Sequence, residues 1–115
     1  MVSFVEANLT DAIMSYAKLM ACDFSGANLT RADMSFANLM GANLSSADLR
    51  GANLTGADLS PLVLSETSDG DRRVMKTRLI GTKLDGADLN DADMFSVLKE
   101  IPVYSDGDSG MARSA

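Results

Sequence analysis

The chain has 115 residues, enough for one domain with a buried core. Its net charge of −6 and the lack of clustered Lys and Arg argue against direct binding of nucleic acid, while leaving basic protein partners open. With no histidine and a single cysteine, it lacks the usual nucleophile–base pairs and any internal disulfide. The opening, MVSFVEANLTDA, has neither a basic n-region nor an apolar h-region. No run reaches transmembrane length, so no membrane role is expected and the cytoplasm is the default compartment.

From the first residues onward an apolar side chain recurs at every fifth position. The series is Phe4, Leu9, Met14, Leu19, Phe24, Leu29, Met34, Leu39, Leu44, Leu49, Leu54, Leu59 and Leu64. Two places before almost every one stands Ala, from Ala7 to Ala57, with Cys22 as a small substitute. Between the two is usually Asn or Asp, as in Asn8, Asp23, Asn28, Asp33, Asn38, Asn43, Asp48, Asn53 and Asp58.

A period of five suits neither regular structure. On an α-helix each step of five turns the apolar residue about 140° past a full revolution, so the stripe would spiral. In a flat strand an odd step alternates faces. The chain must therefore turn once per repeat. Ala and Leu, two apart, point inward from a short extended stretch, and the next two residues make the corner, among them Gly26, Gly41, Gly51 and Gly56. Residues 4–23 match the residues twenty further on at 11 positions, far more than at shorter offsets: FVEANLTDAIMSYAKLMACD recurs as FSGANLTRADMSFANLMGAN. Four sides per turn are expected, with a wholly structural core.

The pattern A-(D/N)-L-x-x resembles that of the pentapeptide-repeat proteins, with a bacterial source implied. It covers residues 2–64 and resumes over 77–95 as TRLIG, TKLDG, ADLND and ADMFS, adding Leu79, Leu84, Leu89 and Met94 to the axis. The resemblance implies an all-β fold, a right-handed quadrilateral parallel β-helix of about four coils occupying residues 1–95. With the usual nucleophile–base pairs missing, no enzyme and no cofactor are expected, and the resemblance leaves the biological role unspecified. One branch of the family imitates duplex DNA with an acidic rod and so inhibits or protects a type II topoisomerase (gyrase). That is the alternative reading here, with the outward Asp and Asn columns in the imitating role, interrupted by Lys18, Arg31 and Arg50.

From Leu62 to Lys76 the motif fails, in LVLSETSDGDRRVMK. Leu79 lies fifteen residues after Leu64, three whole repeats, so the register survives. The expectation is a loop over residues 65–76 that bulges outward and rejoins in phase, because an inward Asp69 would be costly. Two irregular sides, with Asp69 and Val74 near the inward sites, are the competing arrangement. Residues 65–83 hold three acids and five bases, a local +2 in an acidic chain. Beyond Met94 a cap from Phe95, Val97, Leu98 and Ile101 is expected, then a mobile tail, together filling residues 96–115.

Asp69-Gly70-Asp71 and Asp106-Gly107-Asp108 look like fragments of calcium loops but lack the distal Glu, so turn chemistry accounts for them better and no metal site is expected. Cys22 takes an inward Ala position and is expected to be inert. Stacking by twenty places Met20 over Met40 and Tyr16 over Phe36, all outward. This apolar edge is the candidate contact surface of a protein-interaction module. The expected partner is an unidentified protein, or a second copy meeting this edge or a coil end.

Overall fold

The computed structural model describes residues 2–94 and the backbone of Arg113–Ser114. Among these residues there are strands, bridges and turns but no helix. Parallel bridges link positions twenty apart, or thirty-five apart across the break, and gather them into four columns. The first runs Ser3, Asp23, Asn43, Arg78, and the second Asn8, Asn28, Asp48, Lys83. The third runs Ile13, Asp33, Asn53, Asp88, and the fourth Lys18, Asn38, Asp58, Asp93. One turn of this β-solenoid therefore consumes four pentapeptides, one per side.

Each side repeats three rungs, the third made at the corner, as from the Arg31 N–H to the Arg50 carbonyl at 3.0 Å. On the second side the Asn28 N–H donates to the Ala7 carbonyl at 2.9 Å and the Leu29 N–H to the Asp48 carbonyl at 2.8 Å. Between these outward groups the Leu and Ala side chains point to the axis. Leu19, Phe24, Leu29, Met34, Leu39, Leu44, Leu49, Leu54, Leu59, Leu79, Leu84, Leu89 and Met94 are buried, with the small residues from Cys22 to Ala57 and Ala87. Phe4, Leu9 and Met14 of the first turn are partly buried and pack against them, Phe4 stacking on Phe24 at 4.9 Å.

The corners explain the rest of the motif. The N–H three residues after each axis residue returns to that residue's carbonyl, as from Ala7 to Phe4 and from Ala32 to Leu29. The residue just before that N–H has a positive φ, at Glu6, Asp11, Tyr16, Ala21, Gly26 and onward every fifth place. The second turn residue does not, which defines a type II turn. One N–H remains, that of the residue after the Leu. The Asn or Asp side chain two places earlier accepts it: Asn28 Oδ1 from Thr30 N–H at 3.1 Å, Asp33 Oδ1 from Ser35 at 3.0 Å, Asn43 Oδ1 from Ser45 at 3.0 Å. The Asn/Asp column is thus a column of corner caps.

The caps carry a pH dependence. The Ser25 and Ser35 hydroxyls and backbone N–H groups hold the Asp23 and Asp33 carboxyls below the usual carboxylate value of 3.8. A lowered folded pKa contributes stability above the unfolded value and loses it as pH falls through the folded value. Acid titration followed by circular dichroism should show this stability fading below about pH 3.8, and an Asp23→Asn/Asp33→Asn variant should show a shallower loss over the same range. An identical acid limb would show that these caps do not matter.

The register returns after the break as expected: Asn43 pairs with Arg78, thirty-five residues on, and Leu44 donates to the Arg78 carbonyl at 2.7 Å. The intervening chain is not an irregular loop but a hairpin. Strand β1 (Leu62–Glu66) pairs antiparallel with β2 (Arg72–Met75), with a bulge between Val63 and Ser65. Leu64, expected on the axis, is 53% exposed on β1, and Leu79 takes the level above Leu44 in its place. The physical reason is Pro61. It falls at the corner position where φ must be positive, and proline is locked near −65°. The chain cannot turn there and is diverted outward. Asp69 and Val74 are exposed on the hairpin rather than placed at inward sites.

Where the coil resumes, Thr77 occupies an Ala position and is buried. Following Ala21 to Met40 and Gly26 to Ser45, the Gly41 N–H should reach the Ser60 carbonyl. Instead it donates to Thr77 Oγ1 at 2.8 Å, and that hydroxyl lies 3.2 Å from the Ser60 oxygen and 3.3 Å from the Leu39 oxygen. The hydroxyl relays the rung that the insertion interrupts. Strand β3 (Asp88–Leu89) then pairs parallel with β4 (Arg113–Ser114). The rest of the expected cap and tail, residues 95–112 and Ala115, lies outside the described residues.

Candidate interaction surface

The solenoid offers its outward groups in columns, and the corner columns carry the large side chains. At the left-handed positions these chains lean toward the next level. A Cβ added at Gly26 would meet Glu6 Cγ at 3.1 Å, one at Gly51 would meet Arg31 Cγ at 3.4 Å, and one at Gly56 would meet two Phe36 ring carbons at 2.4 and 2.5 Å. Asp11 leans instead on Arg31, which it pairs at 2.9 Å. Tyr16 leans on Phe36, the rings stacked at 5.2 Å and 13° from parallel. Tyr16 is 72% exposed and Phe36 51%. Both hold φ near +60°, at 63° and 59°, where glycine is the unstrained residue and Gly56 indeed follows in the same column.

The structure brings Tyr16 and Phe36 together but places Met20 and Met40 at the next corner. The four residues border one side, whose outward column holds Lys18, Asn38 and Asp58, rather than forming a single edge. Met20 is exposed, whereas Met40 is half-buried. The hairpin base crosses the corner beside it, since a Cβ at Gly41 would lie 2.9 Å from Leu62 Cβ and 3.3 Å from Met75 Cγ.

The side columns are electrostatically mixed. Lys18, Arg78 and Lys83 stand in the same columns as the carboxylates. Asp23, Asp33, Asp48, Asp58 and Asp88 each accept a backbone N–H two residues on. Arg50 also binds Asp48 at 2.7 Å and holds its carboxyl below the usual range, as Arg31 does for Asp11. Among the described residues no group of three or more His, Cys, Asp or Glu could hold a metal ion. In Asp69-Gly70-Asp71 the Asp69 carboxylate accepts the Thr67 hydroxyl and the Asp71 N–H, which is turn chemistry, while Asp106-Gly107-Asp108 lies outside the described residues. Cys22 is buried and burial pushes its thiol pKa up, away from the thiolate.

The hairpin was legible as an exception but not as a structured element. Besides Val63, Leu64 and Val74 it exposes Arg72 and Arg73.

A family profile for pentapeptide repeats matches residues 2–26 and 22–60, with eight copies. The chain belongs to the pentapeptide-repeat family. Among solved structures, this repeat protein is similar to HetL, described as involved in heterocyst differentiation regulation in the cyanobacterium Nostoc sp. strain PCC 7120. The two are 30% identical over 79% of this chain and 38% of HetL, with a TM-score of 0.40. It is also similar to Rfr23 from the cyanobacterium Cyanothece 51142, at 27% identity over 79% of this chain and 53% of that one, with a TM-score of 0.39. A pentapeptide-repeat protein from the Arabidopsis thaliana thylakoid lumen shows 27% identity over 90% of this chain and 81% of its own, with a TM-score of 0.33. This repeat protein thus spans well under two thirds of HetL and Rfr23. No curated protein matches it.

Proposed function

We propose that the chain is a non-enzymatic protein-interaction module, a right-handed rod of about four turns whose contact surface is the side bordered by Tyr16, Phe36, Met20 and Met40. Family membership supports the handedness, and the twenty-residue bridges support the turns. One observation carries the functional reading. Two large aromatic residues occupy left-handed corners at a cost of about 1–2 kcal/mol each, yet Tyr16 stays largely exposed and Phe36 about half exposed. A glycine at either place would relieve that strain, and the stack returns only about 0.5–1.5 kcal/mol. Stability alone is thus a weak reason for the pair, whereas a rigid aromatic ledge is what a protein contact uses.

The test is a Tyr16→Gly/Phe36→Gly variant. It should melt within a few degrees of the parent, because relieved strain offsets the lost stack, and it should lose partners that the parent retains from extract of its native cell. Unchanged capture by a folded variant would discard this surface. A large drop in melting temperature would assign the rings to stability instead.

A further inference from the structure

We propose, resting on the reading of this side as a contact surface, that the Tyr16–Phe36 corner takes a basic, arginine-bearing segment of a partner protein. A guanidinium lies against the Phe36 end of the stack, with the surrounding carboxylates as counter-charges. Charge is not spread evenly over the rod. The corner lies between the third and fourth sides, whose columns carry Asp33 and Asp88, and Asp58 and Asp93. Its own column runs Tyr16, Phe36, Gly56, Asp91, the last two levels joined by the Gly56 N–H to the Asn90 carbonyl at 2.8 Å. Five carboxylates thus flank the aromatics, against Lys18 alone until Arg113 follows Asp88 at the far end. Elsewhere in residues 2–94 eight carboxylates stand with seven Lys or Arg. Most of the excess negative charge is therefore gathered at the one corner that exposes aromatic rings. An acidic surface of that kind suits a cationic partner.

The rings beside the charge select arginine. A guanidinium stacks on an aromatic face and forks onto carboxylates, whereas an ammonium is a compact, strongly hydrated charge. Both kinds of neighbour stand within a level or two, at ~4.8 Å per level. Phe36 leans over Gly56, Asp58 follows Gly56 by two residues, and Asp91 is the next residue of the column. Lys18 is level with Tyr16 and repels a cation there, which sets the guanidinium at the Phe36 end. Corner capping leaves the acids usable. Asp33, Asp58 and Asp88 accept their corner N–H groups at Oδ1, so Oδ2 is left to a partner.

The test titrates labelled oligo-arginine and oligo-lysine peptides of equal length into the full chain and follows fluorescence anisotropy. The arginine peptide should bind at least about threefold more tightly than the lysine one, and Tyr16→Gly/Phe36→Gly should abolish that advantage. Asp58→Asn/Asp91→Asn should weaken the arginine peptide about fivefold. Glu6→Gln/Glu66→Gln removes as much charge away from the corner and should change it by less than about twofold. Asparagine suits both corner positions, since Asn28 and Asn43 cap as Asp58 does and asparagine tolerates a left-handed φ. No binding of the arginine peptide, equal weakening by the two charge pairs, or an arginine advantage that survives loss of the rings would each overturn the proposal. Capture from extract separates this failure from that of the contact surface itself. Partners lost by the ring variant but kept by Asp58→Asn/Asp91→Asn would sink the basic segment and leave the surface standing, whereas partners kept by the ring variant would sink both.

Discussion

Gly56→Ala lowers the melting temperature by roughly 10 °C or more, the largest loss expected from adding one methyl group to this protein. Two effects act together. Gly56 has φ +68°, where a side chain costs about 1–2 kcal/mol, and the new Cβ would stand 2.4 Å from a Phe36 ring carbon. The ring, itself stacked under Tyr16, must be displaced, which brings the total to about 3 kcal/mol. Phe36→Ala in the same chain should restore roughly half of the loss, since it removes the clash but not the backbone cost. A thermal double-mutant cycle reads this directly. If Gly56→Ala costs the same with and without Phe36, the ring does not press on that corner.

Thr77→Val is the second large effect, and it changes almost no volume. The valine leaves the Gly41 N–H without its acceptor and removes the hydroxyl that faces the Ser60 and Leu39 carbonyls. Each orphaned buried group costs about 1–3 kcal/mol, whereas Thr77→Ser keeps the relay and should fall within about 1 kcal/mol of the parent. Hydrogen exchange at the Gly41 amide is the local readout. It should quicken in the valine variant and stay slow in the serine one. Equal stability of valine and threonine would show that the rung closes without the hydroxyl.

The axis was legible because a small core built of identical niches writes itself at a fixed period. Ala and Leu two apart and a match at twenty were enough to place Phe24, Leu39 or Leu84 correctly. The columns of Asn and Asp were visible too, but their purpose was not. From sequence they look like a display of polar and acidic groups, and only the corner N–H they accept shows that much of that display is turned to the chain's own backbone. Leu64 was misplaced because its spacing from Leu59 is correct. The decisive residue was Pro61, and it speaks only once the corner is known to need a positive φ. Thr77 and Thr82 likewise departed openly from the Ala rule, yet only the interrupted rung gives the first its meaning; the second simply donates to the Leu44 carbonyl at 2.6 Å. The proposed contact surface was half legible. Spacing by twenty predicted the Tyr16–Phe36 stack and put it at the corner preceding the methionines, but it treated the two corners as a single apolar edge.

The lean of the corner side chains has a consequence for how sequences of this kind vary. Except at Gly41, where the hairpin base crosses the corner, the left-handed glycines of the coil are roofed by the position a turn earlier, so their tolerance is decided not by their neighbours in the chain but by a residue far upstream. Glu6 governs Gly26, Arg31 governs Gly51, Phe36 governs Gly56, and across the insertion Ser46 governs Gly81. Where no glycine follows, the upstream residue finds a partner it can lie against, as Asp11 does with Arg31 and Tyr16 with Phe36. Substitutions at corners should therefore travel in pairs twenty residues apart, lengthened to thirty-five where the hairpin intervenes, and the direction of the pairing marks which end of the rod came first in the chain.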